Sequence, residues 1–187
     1  MTTKVIILNG PPGSGKDDAT KHLTETSPTI HHNEFKKQLI TLTKQIWGVT
    51  DSEWDEMYTR ENKEIPTPVF DGMSPRQALI HTSEVVIKPN YGNDYFGRFA
   101  AKSLQDDGIN VFSDGGFVEE THIISDAVGS ENLMVVRIKR PGYTFEGDTR
   151  NYLPDTICTT VVDVDNDGSL DEFFNKIRQV TCEWLLK

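Results

Sequence analysis

Four apolar runs punctuate the chain: Val5 to Leu8, Ile109 to Ser113, Leu133 to Ile138 and Thr159 to Val164. Short runs of this kind, rich in Val and Ile and bounded by turn residues, predict buried strands. Between them the apolar residues recur at helical spacing. Asp18 to Thr26 reads as a helix interrupted by Ser27-Pro28, and Phe35, Leu39, Leu42, Ile46 and Trp47 mark one buried face of a helix that Gly48 ends. A further helix is expected from Ser52, paired with Asp55 as a cap, through Trp54, Met57 and Tyr58. Ser74-Pro75-Arg76-Gln77 is a capping box with proline at the first helical position, and it opens a helix running to about Ile87. Residues 88 to 94 read as a turn. Tyr95, Phe96, Phe99, Ala100 and Leu104 form the next helical face, and Val118 to Val128 another. Ser169, with Glu172 three positions on, caps a last amphipathic helix expected to bury Leu170, Phe173, Phe174, Ile177, Val180, Trp184 and Leu185. Strands alternating with helices predict an α/β fold with a parallel sheet and right-handed connections.

The first strand breaks into Asn9-Gly10-Pro11-Pro12-Gly13-Ser14-Gly15-Lys16-Asp17. Gly10, Gly15 and Lys16 stand at the spacing of the phosphate-binding loop, G-x-x-x-x-G-K-[ST], with Asp17 in place of the hydroxyl residue. Glycines let backbone N–H groups converge on phosphate oxygens, and the helix that follows presents its positive end to the same anion. Gly13 and Ser14 complete the cradle, and Lys16 supplies a cation for the β- and γ-phosphates of ATP. The standard hydroxyl ligates Mg²⁺, so that role passes to Asp17, directly or through water, or to another carboxylate.

Composition narrows the partners. The chain has 187 residues, 36% of them hydrophobic, enough for a single well-buried domain. A formal net charge of −10 argues against a polynucleotide partner, which would demand many phosphate contacts from Lys and Arg. A small anionic substrate needs only a locally basic pocket. The two cysteines, Cys158 and Cys182, show no metal or redox spacing. No segment reaches transmembrane length and the first apolar run is too short for a signal peptide, so a cytoplasmic protein without a membrane partner is expected.

Several residues outside the loop carry candidate chemistry. Arg76 falls in the first turn of its helix, where an arginine is poorly placed for stability and well placed for an anion. Gln77 beside it, with Lys37 and Arg98 on other helices, are further candidates for the substrate. Asp114 closes a strand, where a carboxylate beside the phosphate loop can direct Mg²⁺ or contact substrate, or cap the helix from Val118. The polar, irregular segment of about residues 139 to 152, flanked by Arg140 and Arg150, is expected to be a lid that brings positive charge to the transferring phosphoryl group. The neighbouring His31 and His32 are assigned to a loop or strand end, since adjacent side chains diverge on any regular element.

These motifs together resemble the deoxynucleoside monophosphate kinases of bacteriophages, a branch of the P-loop nucleoside monophosphate kinase fold. The resemblance rests on Ser14-Gly15-Lys16-Asp17, Ser74-Pro75-Arg76-Gln77-Ala78-Leu79, Ile87-Lys88-Pro89 leading to Gly92-Asn93-Asp94-Tyr95-Phe96-Gly97, Arg140-Pro141-Gly142, and Asn166-Asp167-Gly168-Ser169-Leu170. It implies a three-layer P-loop kinase fold, a helical acceptor-binding region over about residues 33 to 108, and transfer of the ATP γ-phosphoryl group to a deoxynucleoside monophosphate (dNMP) with Mg²⁺. It also implies that the loop and Lys16 hold ATP, that Arg76 grips the monophosphate, that Arg140 and Arg150 belong to the lid, and that Asn166 to Ser169, Gly168 included, lie near the adenine. A homodimer is compatible with it. Two departures stand out: relatives often carry Asp-x-Arg where this chain has Asp114-Gly115-Gly116, and often Thr where it has Asp18. The first leaves a charge contact absent or supplied from elsewhere, with Arg98 and Arg137 as candidates; the second reopens which residues ligate the metal. A phosphomevalonate kinase, whose animal-type members also end the loop in Gly-Lys-Asp, and a non-catalytic nucleotide-binding protein are the competing readings.

Overall fold

A computed structural model describes residues 3–186. Five strands, β1 (Lys4–Asn9), β2 (Ile30–Asn33), β3 (Ile109–Gly115), β4 (Leu133–Lys139) and β5 (Thr160–Asp165), form one sheet in the order β2-β3-β1-β4-β5. All pairings are parallel. Alternate residues of each central strand feed opposite layers, as the two-residue period of a strand requires. Ile6, Leu8, Met134, Val136 and Ile138 join one cluster, with Ala19, Leu23, Phe173, Ile177 and Trp184 from helices α1 (Lys16–Thr26) and α8 (Leu170–Leu185). Val5, Ile7, Leu133 and Val135 join the other, with Phe35, Phe112, Ile124 and Leu153. The parallel α/β class read from the alternation of elements is the class observed, with helices packed on both faces of the sheet.

The chain divides into two compact units, Lys36–Phe96 and the remainder. The Lys36–Phe96 unit holds α2 (Lys36–Trp47), α3 (Asp51–Met57), α4 (Pro75–His81), a π-helical turn at Thr82–Ile87 and α5 (Lys88–Tyr91). It has its own core of Val49, Trp54, Phe70, Ala78 and Leu79. Helices α6 (Tyr95–Lys102) and α7 (Val118–Val128) complete the main elements. None of the described helices is long and apolar enough to cross a membrane.

Local readings need four corrections. Thr50, not Ser52, caps α3, because Glu53 reaches back from the third helical position to form the reciprocal box. The stretch after Ile87 is helical to Tyr91 and ends at Gly92, so the expected turn is shorter. Phe35 precedes α2 and packs in the sheet core, so a face counted from it has the wrong phase: Thr43 is the buried position and Ile46 is 47% exposed. Leu170 is likewise exposed, since the core takes up α8 only from Phe173 onward.

Candidate functional site

Parallel strands all end on one edge of the sheet, and in open α/β folds ligands bind outside that carboxyl edge. Asn9 is paired with Gly115 and with Arg137, and Lys139 with Asp165. This register brings the phosphate loop, Asp114, Arg140 and Asn166 to the same edge from widely separated parts of the chain.

The loop has the form of a cradle. Gly13 and Gly15 adopt left-handed φ of 78° and 105°, a region that favours glycine. Gly15 begins α1 without any side-chain cap, leaving the first-turn N–H groups to an incoming anion. The Ser14 hydroxyl is buried and has no partner, a polar group that a bound phosphate can satisfy. Lys16 is buried, and its Nζ donates to the Gly10 carbonyl at 2.6 Å and the Pro11 carbonyl at 2.8 Å. Burial, and after it the Arg150 charge, lowers its pKa from 10.5 to about 8, against the opposing pull of Asp17, Asp148 and Asp114. These five ionisable groups therefore share one electrostatic neighbourhood.

Remote residues close over the loop. Asn166 Nδ2 donates to the Ser14 carbonyl at 2.9 Å, and its backbone N–H to the Lys139 carbonyl at 2.7 Å. Arg140 Nη1 donates to the Gly13 carbonyl at 2.8 Å while its guanidinium lies 4.7 Å from the centre of the Tyr143 ring. A Cβ added to Gly13 would fall 2.4 Å from that ring. Beside them a cavity of about 380 Å³ is lined by Lys139, Arg140, Pro141, Tyr143, Tyr152, Asp165 and Asp167. Gly168 lies just before the Ser169–Glu172 capping box of α8. Asp17 and Asp18 are exposed in the first turn of α1.

Asp114 is nearly buried and accepts the Phe35 backbone N–H at 2.9 Å. The N-cap position of α7 is Phe117, not Asp114, so the capping alternative is corrected. Among the described residues no group of three His, Cys, Asp or Glu side chains could hold a metal ion. A site with one or two carboxylates suits Mg²⁺, which keeps several waters and takes its other ligands from substrate phosphates. Arg137 is committed elsewhere: it bonds Asp163 at 2.6 Å, Asp155 at 2.8 Å and the Leu153 carbonyl at 3.1 Å. Arg98, on α6, is exposed.

In the Lys36–Phe96 unit, Arg76 occupies the first turn of α4, one-third exposed, with Nη1 3.3 Å from Glu64. Gln77 is drawn into the capping box, its Oε1 accepting the Ser74 N–H at 2.9 Å. Lys37 is exposed on α2.

Sequence reasoning missed Asn9, Tyr143 and Asp148. Asn9 is fully buried at the mouth of the loop; its Nδ2 donates to the Gly115 and Asn151 carbonyls, and its Oδ1 accepts the Leu153 N–H at 2.8 Å. A polar residue ending an apolar strand was the available signal. Asp148 grips Arg150, its Oδ1 2.9 Å from Nε and its Oδ2 2.7 Å from Nη2. Nothing in the spacing of a polar loop singles out either that aspartate or Tyr143.

No protein-family model matches the sequence, and no curated protein sequence matches it. Among solved structures, a putative kinase from Chloroflexus aurantiacus aligns over 96% of this chain and 98% of its own, at a TM-score of 0.51 and 14% identity. The APS kinase of Mycobacterium tuberculosis aligns over 100% and 99%, at a TM-score of 0.48 and 12% identity. A shikimate kinase from Acinetobacter baumannii, in complex with shikimate, aligns over 100% and 97%, at a TM-score of 0.47 and 15% identity. Identities this low speak to architecture alone, and it is the first of these likenesses, taken with the parallel sheet and the glycine loop at its edge, that gives the chain a three-layer P-loop kinase fold.

Proposed function

We propose that this chain is an ATP-dependent phosphotransferase whose acceptor is a deoxynucleoside 5′-monophosphate. The observation that carries the reading is the cradle itself: an uncapped helix N-terminus, a buried unpartnered Ser14 hydroxyl and a buried Lys16, with Arg140 and Arg150 drawn in from the segment after β4. In the reaction the bond between the γ-phosphorus and its bridging oxygen breaks, and a new bond forms to an oxygen of the acceptor phosphate; ADP leaves and a deoxynucleoside diphosphate is released. Lys16 and the loop N–H groups hold the β- and γ-phosphates, and the arginines offset charge as it spreads over the moving group. Bound Mg²⁺, held by Asp17 and Asp114 directly or through water, would neutralise phosphate charge. Asn166 and the cavity beside Arg140 are assigned to the nucleoside end of ATP. Arg76 is assigned to the acceptor phosphate because it stands at a helix start that already favours an anion. The choice of a dNMP as acceptor rests on the resemblance of the Ser74 to Leu79 stretch.

A coupled assay of ADP release tests the reading, with the four dNMPs, their ribose counterparts and phosphomevalonate each offered as acceptor. ADP release that depends on a dNMP is expected. Silence with every dNMP while ATP still binds would reject the substrate class, and turnover of phosphomevalonate alone would move the chain to the competing small-molecule kinase reading.

A further inference from the structure

Arg150 lies in a segment expected to be a lid, yet its side chain is built into place at two points and the backbone beside it at a third. The Asp148 carboxylate, only 6% exposed, takes its Nε and Nη2 as a two-pronged partner and also accepts its backbone N–H at 2.9 Å. Its aliphatic stem lies on Gly116: a Cβ placed there would come within 2.7 Å of Arg150 Cβ and 3.0 Å of Cγ and Cδ. The Asn151 N–H points at the Gly116 carbonyl at 3.4 Å. A bidentate carboxylate fixes the plane of a guanidinium as well as its position. The Asn9 amide, at the mouth of the phosphate loop, donates to the Asn151 carbonyl at 3.0 Å and so ties the segment carrying Arg150 to that loop; the Arg150 charge placed there acts on Lys16.

We propose that Asp148 is a positioning residue which, with Gly116 as the seat for the arginine stem, holds Arg150 in advance of ligand as a second cation of the ATP phosphate site. Preset charge needs no reorganisation when the polyphosphate arrives. The proposal rests on the ATP-binding part of the function proposed above, not on the identity of the acceptor.

The sign of one substitution separates this role from its alternatives. Removing a carboxylate near an anion site should, by charge alone, tighten anion binding. If Asp148 works through Arg150, Asp148→Asn should instead weaken binding of Mg-ATP by about five- to tenfold, less than the full loss of a contact to a charged group because Arg150 itself remains. In an Arg150→Gln background the same change should have no effect or tighten binding, because only the charge effect is left. Gly116→Ala alters no charge and should weaken ATP binding several-fold by displacing the arginine stem. Titration calorimetry on the full chain reads all four proteins against wild type, with thermal melts to establish that each is folded.

Asp148→Asn binding ATP as tightly as wild type, or weakening it equally with Arg150 absent, overturns the proposal. Should Asp148→Asn not fold, unchanged affinity in folded Gly116→Ala does the same. A wild-type chain that binds no ATP overturns the kinase reading as well, whereas one that binds ATP but turns over no acceptor leaves this inference standing and rejects the other.

Discussion

Lys16 and Arg76, both proposed to bind phosphate, carry different signatures because they differ in burial. Lys16 is held nearly out of water, with its pKa lowered to about 8, so its charged form is disfavoured in the folded protein. The unfolded chain binds the proton up to 10.5, so between about pH 8 and that value folding stability rises with pH; below pH 8 the charged lysine imposes its full cost, on the order of 3 kcal/mol. Bound polyphosphate favours the ammonium. ATP affinity should therefore be greatest below about pH 8 and fall by up to about tenfold per unit above it, a dependence that Lys16→Met abolishes in calorimetric titrations. Arg76, one-third exposed, is proposed to hold the acceptor phosphate before and during transfer. Arg76→Ala should raise the dNMP KM with a smaller change in kcat, costing about 2–4 kcal/mol in kcat/KM. Arg140→Ala should lower kcat with little change in that KM, because its contact strengthens as charge spreads in the transition state. Steady-state kinetics at saturating ATP distinguish them, and an unchanged dNMP KM in Arg76→Ala would shift the acceptor site toward Arg98 or Lys37.

Strand ends and helix starts, rather than whole elements, set the geometry of the site. β1 delivers the loop, but its last residue is tied to two other segments through the Asn9 amide, which bonds Gly115, Asn151 and Leu153. Removing that amide leaves buried backbone groups unpaired. Asn9→Ala should cost about 2–4 kcal/mol in urea unfolding and weaken ATP binding as the loop loses its anchor. At helix starts the capping boxes of α4 and α8 agree with the sequence reading because the serine, its third neighbour and the following apolar stripe all point to one boundary. α3 departed from it because two hydroxyl residues, Thr50 and Ser52, stand at the start of the same helix: Thr50, with extended backbone, is the cap, and Ser52 already lies within the first turn.

Across the whole molecule, each of the two units has its own apolar core, from which separate unfolding is expected. Phe70 is completely buried in the smaller core. Phe70→Ala should cost that unit about 3–5 kcal/mol. Hydrogen exchange should show protection lost over residues 36–96 while β1, β3 and β4 stay protected and ATP still binds; uniform loss of protection would show that the two cores unfold as one. The parallel α/β class, the phosphate loop and most helix starts were legible in the sequence because each is a local pattern: an apolar run, a glycine spacing, a capping residue and its third neighbour. β2 was not, since His31, His32 and Asn33 form no apolar run and become a strand only by pairing with β3. Asp148 on Arg150, Tyr143 against Gly13 and the three-way anchor at Asn9 were also decided by the tertiary structure alone. Asn9 and Tyr143 meet partners brought to them by sheet order and register, and Asp148 meets Arg150, two residues on, through the conformation of their loop; none of these is encoded in the spacing of the residues.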